Sequence, residues 1–147
     1  MFRSIVVGTD GSETAEQAVD AAIELAGLSG ATLELVSAYE PVSNQPLRQE
    51  AREVPAGMEW VVHHRAEVDA TLRDGLERAV AAGVTAREHA REGDAADAIL
   101  DVAEELGADL IVVGNKGMTG AKRFMLGSVP NKVSHHAPCA VMIIRTS

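Results

Sequence analysis

Cysteine occurs once in the 147 residues, at Cys139, so no intrachain disulfide can form and nothing points to an oxidising compartment. No apolar run approaches the ~20 residues that a membrane span requires. The opening MFRSIVVGTD carries a single arginine before a short strand-like run, too brief for a signal peptide. The cytoplasm is therefore the expected location, with no membrane partner. Carboxylates are missing from Leu110 to Ser147, where Lys116, Lys122, Arg123, Lys132 and Arg145 contribute +5. Within a net charge of −9, that leaves −14 for the preceding residues. Such an acidic whole repels polyphosphate, which argues against nucleic acid as a partner. One small anionic ligand could still suit the basic segment, although a short stretch can also lack carboxylates by chance.

The composition is otherwise that of a globular chain, 46% hydrophobic and 24% charged, and the length fits one domain over residues 1–147. Five runs read as strands: Ser4–Thr9, Thr32–Ala38, Val84–His89, Leu110–Gly114 and Ala140–Ile144. The first, fourth and fifth are continuously apolar, as in strands covered on both faces; the second and third are more polar and suit positions nearer a sheet edge. Helical periodicity separates them. Ala15, Ala18, Val19, Ala22, Ile23 and Ala26 form one stripe, with Ser12 as N-cap and Gly27 and Gly30 to end it. A second helix is expected from about Met58 to Gly83, interrupted by Gly75, and carries Val61, Val68, Leu72, Leu76, Ala79 and Val80 on its apolar face. A third opens at Asp94 and uses Ala96, Ile99, Leu100, Ala103 and Leu106. The fourth runs from Ser128 to His136, stopped by Pro138. Strands alternating with helices predict an α/β fold with a parallel sheet. The Pro-rich stretch Glu40–Gly57 is too long for an ordinary connection and reads as a lid or as disorder.

The informative segment is Val113–Val133, VGNKGMTGAKRFMLGSVPNKV, which leaves an apolar strand and enters a helix. It lies at the carboxyl end of the sheet, where open α/β folds bind ligands. Gly114 lets the chain leave the strand, Gly117 permits close backbone approach, and Gly127-Ser128 opens a helix whose free N–H groups attract an anion. The Ser128 hydroxyl could serve a phosphate, cap the helix, or do both. Neither G-x-x-x-x-G-K-[ST] nor G-x-G-x-x-G occurs in the chain.

The pattern G-x2-G-x9-G-[ST], together with the VVGTDGS ending of the first strand and the Pro138-Cys139 lead-in to the last, resembles the ATP-binding branch of the universal stress proteins. The resemblance runs along essentially the whole chain. It implies a five-stranded Rossmann-like sheet of order 3-2-1-4-5 with helices on both faces, and a homodimer formed through the last strand. It also implies a bound adenine nucleotide, ATP (with Mg2+) or cyclic AMP. By position, Thr9 would line the base pocket, Asp10 would bond ribose hydroxyls, and Ala38 would meet adenine through its backbone. Val113 would pack beside base or ribose, with Gly114, Gly117, Gly127, Ser128 and Val129 around the phosphates. Pro130 departs from the family, standing where many ATP binders have Ser or Thr; some actinobacterial-looking relatives favour cyclic AMP.

Other readings of these residues stay open. Asp10 could be only a helix N-cap, and Lys116, Lys122 and Arg123 could be ordinary solvated charges. His135 and His136 project about 100° apart on a helix, so no metal site is expected there. Cys139 enters an apolar strand and reads as an inert thiol. The leading function is a sensor or regulatory binding module acting in the stress response. A slow ATPase is the alternative, weakened because the glycine segment offers no Asp, Glu or His as a base. A scaffold dimer without nucleotide is the third; the branch that works this way lacks the glycine motif.

Overall fold

The structure is a computed structural model that describes residues 1–39, 65–115 and 126–146. The Glu40–Gly57 stretch, the expected start of the second helix near Met58, Gly117, Lys116, Lys122 and Arg123 lie outside the described residues. The elements are β1 Ser4–Gly8, α1 Glu13–Ser29, β2 Thr32–Tyr39, α2 Arg65–Ala81, β3 Ala86–Glu92, α3 Ala95–Leu106, β4 Leu110–Gly114, α4 Ser128–His136 and β5 Ala140–Ile144. The strands form one sheet in the order β3-β2-β1-β4-β5, and every neighbouring pair is parallel.

Apolar periodicity decides which face each helix covers. Ala18, Val19, Ala22 and Ile23 of α1 and Val68, Leu72 and Ala79 of α2 pack on Ile5, Val7, Leu33, Leu35, Leu110 and Val112. The opposite face, Val6, Val36, Ile111 and Val113, is covered by Ala96, Ile99, Val102 and Ala103 of α3 and Val133 of α4. Consecutive strand residues thus feed two different cores, which is why β1 and β4 read as unbroken apolar runs. Ser12 caps α1 by accepting from the Ala15 N–H at 3.2 Å, and Asp94 caps α3 by accepting from Asp97 at 3.0 Å.

Several expectations need correction. Gly27 lies inside α1, which ends only at Gly30. Val80 is exposed, because it turns away from the α2 stripe that meets the sheet. Gly75 is buried instead of merely tolerated: a Cβ there would lie 3.3 Å from a Leu35 methyl, so the glycine lets α2 approach β2. β3 begins two residues later than expected and continues to Glu92. Its sequence AREHARE brings only Ala86 and Ala90 to the core, and backbone pairing along β2, from Leu33↔Ala86 to Tyr39↔Glu92, defines it. β5 is the other edge and is not covered on both faces, with Met142 and Ile143 both exposed. Cys139 is accordingly half-buried before an exposed strand, and burial pushes its thiol pKa up.

One feature escaped the sequence reading. Glu34, in the middle of β2, is fully buried, and its carboxylate is held by Arg87 and His89 from the edge strand. The Arg87 Nε donates at 2.8 Å and the His89 Nε2 lies 2.6 Å away. Glu34 and Arg87 are register partners, so both side chains leave the same sheet face, and the buried carboxylate is satisfied by two polar partners from the edge strand.

The approach of α3 to the sheet depends on Gly8. A Cβ there would fall 2.3 Å from Ile99 Cδ1 and 2.9 Å from Ile99 Cγ1, in a fully buried contact. Gly8→Ala is expected to cost about 1–3 kcal/mol by overpacking. Thermal unfolding should show the transition falling by several degrees; an unchanged midpoint would mean that the Ile99 side chain gives way at little cost.

Candidate functional site

The chain goes from β1 outward through β2 to β3, then returns across the sheet to β4 and β5. Connections on one side of the reversal place helices on one face, and those on the other side place them on the opposite face. Neighbouring strand ends β1 and β4 therefore lead into connections on opposite faces, and their carboxyl ends are where open α/β folds form a ligand crevice. Thr9, Asp10, Ala38, Val113 and Gly114 all belong to strand ends on this rim.

Thr9 is buried; its N–H donates to the Val36 carbonyl at 2.9 Å and its Oγ1 accepts from the Gly11 N–H at 3.1 Å. Asp10 is not the helix cap, since Ser12 holds that position. The Asp10 Oδ1 accepts from the Ser12 N–H at 2.9 Å, which fixes the carboxylate at the β1–α1 corner. Gly11 makes the corner possible: its φ is +82°, and a Cβ would stand 2.9 Å from Thr71 Oγ1 of α2. Ala38 is half-buried on the α3 side of the sheet, and Val113 is buried on the same face.

The two ends of the glycine segment meet. The Gly127 N–H donates to the Asn115 carbonyl at 2.9 Å, so the start of α4 is fastened to the end of β4. Gly127 is the N-cap residue, in extended conformation, and no side chain caps the helix; Ser128 is its first residue, exposed, and does not serve as a cap. Since the Asn131 N–H already bonds Gly127 O, Pro130 has no N–H and Gly127 is engaged, the donors at this end that no described residue engages are those of Ser128 and Val129. Pro130 is buried, its ring turned inward. Lys132 does not add charge to this rim: its ammonium sits 2.7 Å from Asp97 and 3.6 Å from Asp94, and the hydrogen bond to Asp97 raises its pKa.

Asn115 is the residue that sequence reasoning missed here. Its Oδ1 accepts from both the N–H and the Oγ1 of Thr146, each at 2.9 Å. The two positions are far apart in sequence, so no local pattern could have linked them. Among the described residues, no group of three or more His, Cys, Asp or Glu side chains is placed to hold a metal ion. Among them, too, no helix is long and apolar enough to cross a membrane.

Fold and strand order together define an open, parallel α/β fold whose topological switch point lies between β1 and β4. The chain matches the universal stress protein family over residues 1–145, and it belongs to that family. It is 37% identical over 147 residues to universal stress protein Rv1636 of Mycobacterium tuberculosis, covering 99% of this chain and 98% of the relative. To universal stress protein YxiE of Bacillus subtilis the identity is 36% over 156 residues, covering 99% and 100%. Among solved structures, a universal stress protein crystallised in complex with cAMP is similar at a TM-score of 0.76 and 39% identity, over 99% of both chains.

Proposed function

We propose that this protein binds an adenine nucleotide in the β1–β4 crevice and acts as a sensor or regulatory module in the cytoplasm. The observation that carries the reading is the start of α4. The glycine segment ends at a helix N-terminus with two backbone donors that no described residue engages, on a chain 39% identical to a relative solved with cAMP. In this reading the Ser128 and Val129 N–H groups receive one phosphate, and the Gly114 and Gly117 backbones lie alongside it. Asp10 takes the ribose hydroxyls, the Ala38 backbone meets the base edge, and Thr9 and Val113 line the pocket. Gly127 contributes closeness instead of a donor, because its own N–H is committed to Asn115. Mg2+, where ATP brings it, would be carried by the phosphates.

The proline supports a compact ligand. Pro130 supplies neither an N–H nor a hydroxyl, so a triphosphate has fewer anchors to gain over a single phosphate. Cyclic AMP or AMP is therefore expected to bind within about tenfold of ATP, a difference under ~1.4 kcal/mol, and GTP much more weakly. Competition titration by calorimetry checks this. Pro130→Thr should move the preference toward ATP. A hundredfold advantage of ATP over cyclic AMP in the wild type would overturn the argument from proline, and absence of binding by any adenine nucleotide near millimolar concentration would overturn the function.

A further inference from the structure

Asn115 connects three parts of the fold. Its N–H donates to the Ile144 carbonyl at 2.9 Å, extending the β4–β5 ladder beyond β4. Its side-chain oxygen spends both lone pairs on Thr146, just past β5. A backbone N–H can only donate, so the amide orientation is fixed by chemistry. Its carbonyl holds the Gly127 N–H at the start of α4. Thr146 is itself buried at 8% exposure, and its methyl would lie 3.4 Å from a Cβ on Gly114. A polar side chain this well covered, on the last turn of chain past an exposed edge strand, is unusual unless its partner needs it.

We propose that Asn115 and Thr146 are positioning residues that tie the β5 tail to the first turn of α4, so that the seating of β5 sets how well the Ser128 and Val129 donors receive a phosphate. The part concerning phosphate rests on the nucleotide-binding reading above. Thr146 touches no ligand in this scheme. It holds the Asn115 amide, the amide fixes the peptide that follows β4, and that peptide's carbonyl places Gly127. Coupling of this kind is reciprocal: a phosphate drawn onto α4 also favours the seated β5 tail.

The test uses the full chain and two readouts. Without nucleotide, amide exchange at Gly127 is compared in wild type, Thr146→Val, Thr146→Ser and Asn115→Ala. Valine keeps the shape of threonine but loses the hydroxyl donor; serine keeps the donor. Gly127 exchange should rise about three- to tenfold in Thr146→Val, more in Asn115→Ala, and return to near the wild-type value in Thr146→Ser. Exchange at Val112, deep in β4, should not change. Equal acceleration at Gly127 and Val112 would mean simple destabilisation and would overturn the proposal, as would unchanged Gly127 exchange in both Thr146→Val and Asn115→Ala. In the second readout, cyclic AMP affinity should fall in parallel with Gly127 protection and be rescued by serine. Wild-type binding with unaltered affinity in Thr146→Val would overturn the link to the ligand. If the wild type bound no adenine nucleotide while Gly127 still responded, the nucleotide reading would fall and the mechanical tie would stand.

Discussion

Ser128→Pro is expected to weaken cyclic AMP binding by about ten- to a hundredfold, while Ser128→Ala costs only a few-fold. The two substitutions separate the backbone donor from the hydroxyl. Proline at the first position of a helix is well tolerated, and the residue before it must be extended. Gly127 already has φ −63° and ψ 164°, so the ring fits the existing backbone. Ser128 is exposed and its side chain caps nothing, so the folded state loses little. What disappears is one of two N–H groups at the start of α4 that no described residue engages, and a hydrogen bond to a charged phosphate is worth more than one between neutral partners. By contrast, Lys116→Ala should cost about 1 kcal/mol or less if its ammonium is solvated. Calorimetry with unchanged far-UV dichroism checks all three. A Ser128→Pro protein that binds like the wild type would show that backbone donors of α4 do not hold the ligand.

We propose that the chain dimerises through β5, and Met142→Lys is then expected to leave it monomeric. The two sheet edges are built differently. β3, AREHARE, protects its open edge with charge, whereas β5, AVMII, has no charged residue and leaves Met142 and Ile143 exposed at 38% and 39%. An uncovered apolar edge invites another strand, and antiparallel pairing with a second copy closes the contact about a two-fold axis. Light scattering at micromolar concentration should give the mass of two chains. Ile143→Pro makes a sharper probe. Since the Ile144 carbonyl faces β4, the Ile143 N–H faces away from it, so proline removes a donor from the free edge and spares the ladder to β4. A wild-type protein that is monomeric and stable would contradict this assembly.

The sequence carried the architecture because α/β folds write it in periodicity. Continuous apolar runs marked β1 and β4, the i, i+3, i+4 stripes marked α1 and α3, and the β4 and β5 bounds, Leu110–Gly114 and Ala140–Ile144, match the observed strands. Gly114 and Gly127-Ser128 were legible as the end of a strand and the start of a helix, and the fold fastens the two together through Asn115 and Gly127. The same local signals misled where the environment is decided from afar. AVMII reads as a buried strand, yet it is an edge, because whether an apolar run is covered depends on what lies beside it and not on its own residues. The charged β3 was cut short because it owes its extension to β2, and nothing local in the sequence shows that Arg87 and His89 are brought over Glu34. By itself, then, the sequence determined the parallel sheet, its helices and the location of the candidate site, all consequences of side-chain period and glycine spacing along neighbouring residues. Only the tertiary structure decided that Ser12 and not Asp10 caps α1, that Gly127 spends its N–H on Asn115, and that Thr146 holds Asn115 in place. Those are hydrogen bonds, some between positions with no register in the sequence, and a donor's partner is set by where the folded chain places the nearest free acceptor.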